Sequence, residues 1–300
     1  MGETGVRSVL ARLRAAPPVI VIGMHRSGTS LVAAMLFQLG VYGGADIDIR
    51  RIRSEVAARS AALVSGYAES GVFFRLNEEM LARAGARWDD PQPFLERRDH
   101  PRVAPREVAA LEQRAARELA VGFQSGFESG RQSVWGWKDP RNSLTLPYWL
   151  NLFPGARVLH VRRDLESSAQ SVYRRALQWE QSPSVETVPG CRPRIQGMNS
   201  ERIVGALLRR LGKDGRPSNP CLDLDYCRRL CLCYVDEACR HRALGSSYRE
   251  VWYDDVLREP ESAARELCSF IGLESGTHTH RLAAGYVLSR TDTLTAASRS

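Results

Sequence analysis

Apolar residues first run together at Val19-Ile20-Val21-Ile22, then give way to a glycine-bounded polar loop and return at helical spacing from Thr29 through Leu39. That succession predicts a buried strand, a turn and a helix. Three further short apolar runs read as strands: Ser133 to Arg141, Arg157 to Asp164, and Tyr248 to Tyr253. Between them lie helical patterns. Phe73, Phe74, Leu76, Met80 and Leu81 line one face, and Val108, Leu111, Ala115 and Leu119 line another over residues 106 to about 121. Thr145 to Phe153 predicts a short helix, and another follows Asp164 with Ser167, Ser168 and Ser171 near its start. Residues 223–243 place Cys227, Leu230, Cys231, Tyr234, Val235 and Ala238 on one side, and Pro260 to Ile271 form a last helix closed by Gly272. Pro91 and Pro93 punctuate the chain, and a polar stretch runs from there through His100 to Pro105. Residues 180–222, rich in Pro, Gly and Ser, read as an insertion or mobile loop with a short helix around 203–211.

Strands alternating with helices predict an α/β fold, a mainly parallel sheet with helices on both faces. The simplest division is one domain over 18–273, an N-terminal extension over 1–17 and a C-terminal tail over 274–300. The loop after the first strand is Gly23-Met24-His25-Arg26-Ser27-Gly28-Thr29-Ser30. A strand–loop–helix of this kind aims backbone N–H groups and the positive end of a helix dipole at one place, which suits a phosphate or a sulfate. Its spacing is P-loop-like, but Thr29 stands where an NTPase loop needs lysine, and Arg26 supplies the cation from inside the loop. The strand at 157–164 ends in Arg162-Arg163 before Asp164, whereas a P-loop kinase normally ends such a strand in an acid that serves magnesium. The pattern therefore favours an anion grip without a metal.

Composition changes the picture in three places. The net charge is +8, yet Lys138 and Lys213 are the only lysines among 42 basic residues. A retained lysine in an arginine-writing chain hints that a compact ammonium is wanted, and Lys138 falls in Trp137-Lys138-Asp139-Pro140-Arg141, at a strand end where parallel sheets bind ligands. The arginines are spread along the chain, with no nucleic-acid-binding motif. Seven cysteines, five of them between Cys221 and Cys239, predict reduced thiols rather than a disulfide framework. A zinc site is the sharper reading of that cluster, but one helix cannot wrap Cys227, Cys231, Cys233 and Cys239 around a tetrahedral ion. With no signal-peptide core and no apolar run of membrane-span length, the expected location is cytoplasmic.

The order of these segments resembles the sulfotransferases that use 3′-phosphoadenosine 5′-phosphosulfate (PAPS), the bacterial branch in particular. Arg26-Ser27-Gly28-Thr29-Ser30 is similar to their 5′-phosphosulfate loop, and Arg163 with Ser171 to their 3′-phosphate site. Gly66 to Glu69, Leu76-Asn77, Trp88-Asp89-Asp90-Pro91, Trp137 to Arg141 and Tyr253-Asp254-Asp255-Val256-Leu257 resemble recurring segments of the same branch. The likeness covers most of 18–273. Val256 is a mild variation on the usual last segment, and 180–222 does not align.

The resemblance implies sulfuryl transfer to the hydroxyl of a small molecule or glycan, in line and without a metal. It assigns Ser27, Gly28, Thr29 and Ser30 to the 5′-phosphate, Arg163 and Ser171 to the 3′-phosphate, and Arg26 and Lys138 to charge on the bridging and leaving oxygens. Several cytosolic members place a histidine just after the motif lysine, where this chain has Asp139 and Pro140. The base then comes from elsewhere, with Glu69 first and Asp46, Asp48 and His100 in reserve. A P-loop nucleotide kinase or NTPase and a non-catalytic nucleotide-binding module are the alternatives.

Overall fold

The computed structural model describes residues 8, 11–44, 69–99, 109–110, 113–119, 134–181, 219–274 and 276–297. Asp46, Asp48, Arg50 to Arg59, Gly66 to Ala68, His100 and most of the 180–222 segment lie outside them.

Four strands, β1 (Val19–Ile22), β2 (Gly136–Lys138), β3 (Arg157–Arg162) and β4 (Tyr248–Trp252), form one sheet in the order β2-β1-β3-β4, every pair parallel. The first strand by sequence lies inside the sheet, flanked by both strands that carry the other candidate cations. Register sets Val21 against Lys138 and against Leu159. β1 is buried at all four positions, which accounts for an uninterrupted apolar run rather than an alternating one. Gly136 is required by this pairing, because a Cβ there would lie 2.2 Å from the carbonyl oxygen of Val19.

Each face of the sheet builds its own core. On one, Ile20, Ile22, Trp137 and Val158 pack under α2 (Gly71–Arg83), α4 (Asn142–Leu152), α5 (Leu165–Gln181) and α6 (Leu224–Cys239). On the other, Val19, Val21, Leu159 and Val161 pack under α1 (Thr29–Leu39), α8 (Pro260–Ile271) and α9 (Thr277–Ala297). Alternating strand residues thus feed opposite cores, and the α/β fold with helices on both faces is the one observed. Phe73 from α2 stacks on Trp137 with centroids 3.9 Å apart and planes within 3°, while Trp149 meets the same rings edge-on.

Several boundaries differ from the sequence expectation. Pro93 does not only end structure: it sits in the first turn of a short helix, α3 (Gln92–Arg98), where a missing N–H costs nothing. α4 starts three residues earlier than its apolar spacing suggests and tolerates Pro147. Tyr253 leaves the last strand to open α7 (Tyr253–Arg258). The stretch read as a C-terminal tail carries α9, which buries Ala283, Ala284, Tyr286 and Val287. The N-terminal extension is also drawn in, since Leu13 is buried and the Trp135 indole N–H donates to the Ala16 carbonyl.

Candidate active site

The loop between β1 and α1 is shaped by three residues in the left-handed region: Gly23 (φ 140°), Arg26 (φ 70°) and Gly28 (φ 95°). At Gly23 a Cβ would come 2.5 Å from the Val161 carbonyl oxygen, so the loop is pressed onto β3. At Gly28 a Cβ would fall 2.1 Å from the Tyr253 ring, which roofs the start of α1. Arg26 has no such steric licence. A non-glycine residue held at positive φ is strained, and strain of that kind gathers at sites where a side chain must be aimed.

Arg26 is aimed at α5. Its Nε donates to Ser171 Oγ at 3.0 Å, and the Arg163 guanidinium donates to the Arg26 carbonyl at 3.1 Å. Arg163 also lies 4.8 Å over the Tyr253 ring. Arg26 thus meets Arg163 and Ser171, 137 and 145 positions away, in one corner, at the C-terminal ends of β1 and β3 and the start of α1. Ser27 does not share in it. Its hydroxyl bonds the Met24 carbonyl at 2.7 Å and lies 3.2 Å from the Val161 carbonyl, and its N–H turns inward to Met24 at 3.2 Å. Ser27 shapes the loop, and the start of α1 follows it, where the first N–H groups have no intrahelical acceptor. Thr29 is buried there at 3% exposure, and Ser30 is half-buried.

Lys138 ends β2 beside this loop. Its side chain is 1% exposed, and Nζ donates to Glu69 Oε1 at 2.7 Å. The resemblance had paired these residues only by role, and the fold brings them into contact across 69 positions of sequence. The loop and the lysine strand are also tied: Gly23 N–H donates to Ser143 Oγ at 3.0 Å, and Asn142 Nδ2 to the Val21 carbonyl at 3.3 Å. Asp139 is completely buried and accepts the Arg141 N–H at 2.9 Å and its guanidinium at 2.8 Å. Burial pushes the Asp139 carboxyl up, against the pull of Arg141. Burial likewise opposes the Arg141 charge, but Asp139, Glu78 and Glu69 outweigh it and hold the guanidinium firmly protonated.

Sequence reasoning gave His25 no role, although it stands inside the loop. Its ring lies 4.3 Å from Trp88 and edge-on to Tyr234 at 5.8 Å, with Nε2 sealed from solvent and unpartnered. Burial drives its pKa well below 6.5, helped by Arg141, Lys138, Arg175 and Arg26, so the imidazole is neutral. Ser143 and Tyr253 are also part of the site. Tyr253 was visible only as a member of longer segments and Ser143 fell between two of them, because neither carries a signal of its own without the contact it makes.

The cysteine cluster does not build a metal centre. Cys221, Cys227 and Cys231 are buried in the core, and burial pushes the Cys231 thiol up to about 12. A different trio, His160, Cys239 and Glu250, brings ligand atoms within 4.8 Å of one another. Glu250 there is held by Arg162 at 2.8 Å and by Arg242, and His160 Nδ1 is taken by the Tyr248 hydroxyl at 2.6 Å. Two guanidiniums therefore already share that carboxylate.

The inner strand of this α/β fold opens onto a glycine-bounded, arginine-bearing loop, with a second arginine, a serine and a buried lysine beside it. The family model described as "Sulfotransferase family" matches residues 17–226, and the chain belongs to that family. A search of the curated proteins finds no match. Among solved structures, the chain is similar to sulfotransferase STF9 from Mycobacterium avium, at 16% identity over 94% of this chain and 72% of that one, with a TM-score of 0.46. Sulfotransferase STF1 from Mycobacterium tuberculosis H37Rv matches at 13% identity over 94% and 75%, also at 0.46. Retinol dehydratase in complex with androsterone and inactive cofactor PAP matches at 13% identity over 95% and 69%, at 0.38. These likenesses are distant and add nothing to the family assignment. No helix among the described residues is long and apolar enough to cross a membrane.

Proposed function

We propose that this chain moves a sulfuryl group from PAPS to an acceptor hydroxyl of a small molecule or glycan, in line and without a metal. The observation that carries this reading is the corner where Arg26, Ser171 and Arg163 meet beside the Glu69–Lys138 pair. The start of α1 holds the 5′-phosphate through backbone N–H groups, with Gly28 making room for the Tyr253 ring above it. Arg163 and Ser171 hold the 3′-phosphate, a fork-shaped cation and a hydroxyl being suited to it. Arg26 and Lys138 steady the charge that grows on the bridging and leaving oxygens.

Glu69 serves as the base. The acceptor oxygen bonds to sulfur, its proton passes to the Glu69 carboxylate, and the sulfur–oxygen bond to the nucleotide breaks, releasing the bisphosphate with the bonding pair. The anionic donor competes with Glu69 for Lys138, so that binding frees the carboxylate as the ammonium turns to its new partner. Fixed cations do here what magnesium does in a kinase, and they need no loop lysine at Thr29.

The test is ligand stabilisation. Something that binds only the folded state raises its melting temperature with concentration. The expected result is that 3′-phosphoadenosine 5′-phosphate raises it well above the effect of magnesium ATP, and that sulfuryl transfer survives a strong chelator. Equal stabilisation by magnesium ATP, or turnover that needs added magnesium, overturns the reading in favour of a kinase. Tight binding with no transfer to any acceptor, water included, leaves a nucleotide-binding module.

A further inference from the structure

α2 meets the turn after β2 through three polar contacts in a row. Glu69, two residues before the helix begins, takes Lys138, Asn77 takes Asp139, and Glu78 takes the Arg141 Nε. The middle contact differs from its neighbours. Asn77 is fully buried, and its amide uses all of its hydrogen-bonding capacity. Nδ2 donates to Asp139 Oδ2 and to Asn142 Oδ1, each at 2.9 Å. Oδ1 accepts from Thr145 Oγ1 at 2.8 Å and from the Trp149 indole at 2.9 Å. Two acceptors face its nitrogen and two donors face its oxygen, so the amide fits one way only.

A helix that needed only to pack would use apolar side chains here, as it does at Phe73, Leu76 and Leu81. A saturated buried amide adds directionality: α2 cannot slide or turn by one residue without orphaning polar groups on α4 and the β2–α4 turn. The helix is rigid, so a lock at Asn77 fixes the position of its N-terminal end and of the residue just ahead of it.

We propose that Asn77 is a positioning residue for sulfuryl transfer, holding α2 in register so that the Glu69 carboxylate is kept at the Lys138 end of β2, where donor binding frees it to act as the base. This rests on the roles given above to Glu69 and Lys138. Asn77 touches neither the donor corner at Arg26, Arg163 and Ser171 nor the reacting atoms. Its loss affects turnover and spares nucleotide binding.

The experiment measures bisphosphate release from PAPS with water and with a phenol as acceptors, alongside affinity for 3′-phosphoadenosine 5′-phosphate. Asn77→Ala is expected to lower turnover by about 10- to 100-fold, the usual cost of a misplaced reacting group, with nucleotide affinity within about twofold. Combined with Glu69→Gln it is expected to be no slower than Glu69→Gln alone by more than about twofold, because both changes remove one function. A residue that only supports the fold gives effects that multiply. Thr145→Val removes a single bond to the amide, keeps the shape of the core and is expected to lower turnover in the same direction by a smaller factor. If Asn77→Ala does not fold, the Thr145→Val and Glu69→Gln cycle decides in its place. Normal turnover in the folded variants, or multiplying effects in the cycle, overturns the proposal while transfer itself stands. A wild-type chain that transfers no sulfuryl group overturns the functional reading, and the role of Asn77 with it.

Discussion

Lys138 carries the sharpest consequence at the scale of single residues. Its side chain is sealed at 1% exposure and its partner Glu69 is only 14% exposed, so the pair is more enclosed than a surface salt bridge. If its charge acts on an oxygen that becomes anionic only as the sulfur bond breaks, Lys138→Ala should lower turnover by about 100-fold or more while leaving bisphosphate affinity within a few-fold. Lys138→Arg should also be impaired, because a planar fork cannot sit where a compact ammonium sits. Single-turnover and equilibrium-binding measurements separate the two quantities. A fully active Lys138→Ala enzyme would leave the lysine as a packing element. Part of this was legible beforehand: a lysine kept among arginines, at a strand end, marks itself. That it touches Glu69 was not, since nothing local in either segment encodes the other.

At the scale of elements, helix contacts decide what strand patterns cannot. α9 has apolar residues on several sides and no clear stripe, so its periodicity gives no reason to place it in the core. It packs against α1 and α8, however, and Val287 is completely buried among their side chains. Because α1 begins at the anion loop, α9 supports the loop from behind. Val287→Ala should cost about 2 kcal/mol by removing two buried methyl groups and leaving part of their space empty. Urea denaturation measures it, and an unchanged midpoint would show that α9 contributes little. α5 is the opposite case: it was read correctly from its serines and its strand, because its placement after Arg163 follows from chain order alone.

At the scale of the whole molecule, the buried His160 leads to an expected pH dependence of stability. His160 sits at the β3–β4 junction with Tyr248 at 2.6 Å and Glu250 at 4.0 Å, while Arg162 and Arg242 stand by. Burial lowers its pKa to about 4, Glu250 pulling up and the two arginines down. The folded state then holds this ring neutral while the unfolded chain protonates it near 6.5, so stability is full above that value and falls as the pH drops towards 4. Between pH 7 and pH 5 this residue should withdraw about 2 kcal/mol. His160→Gln should flatten that part of the stability profile in denaturant titrations. An equally steep profile in the variant would place the acid sensitivity elsewhere, His25 being the next buried ring held neutral.

The local sequence was enough to determine the strands and the loop. Four β-branched residues make a buried strand wherever they are put, glycines at 23 and 28 permit the turn, and the alternation of strand and helix leaves few topologies open. The residues proposed to grip an anion lie in short segments for the same reason: a loop and a helix start are built from neighbours. Contacts between segments were decided only by the tertiary structure. Sheet order placed β1 between β2 and β3, which brought Arg26 to Ser171 and Arg163, and the packing of α2 brought Glu69 to Lys138 and Asn77 to Asp139. It also turned Ser27 inward, both its hydroxyl and its N–H going to the Met24 carbonyl. A hydrogen bond depends on distance and direction in space, and chain separations of 62 to 145 residues carry neither.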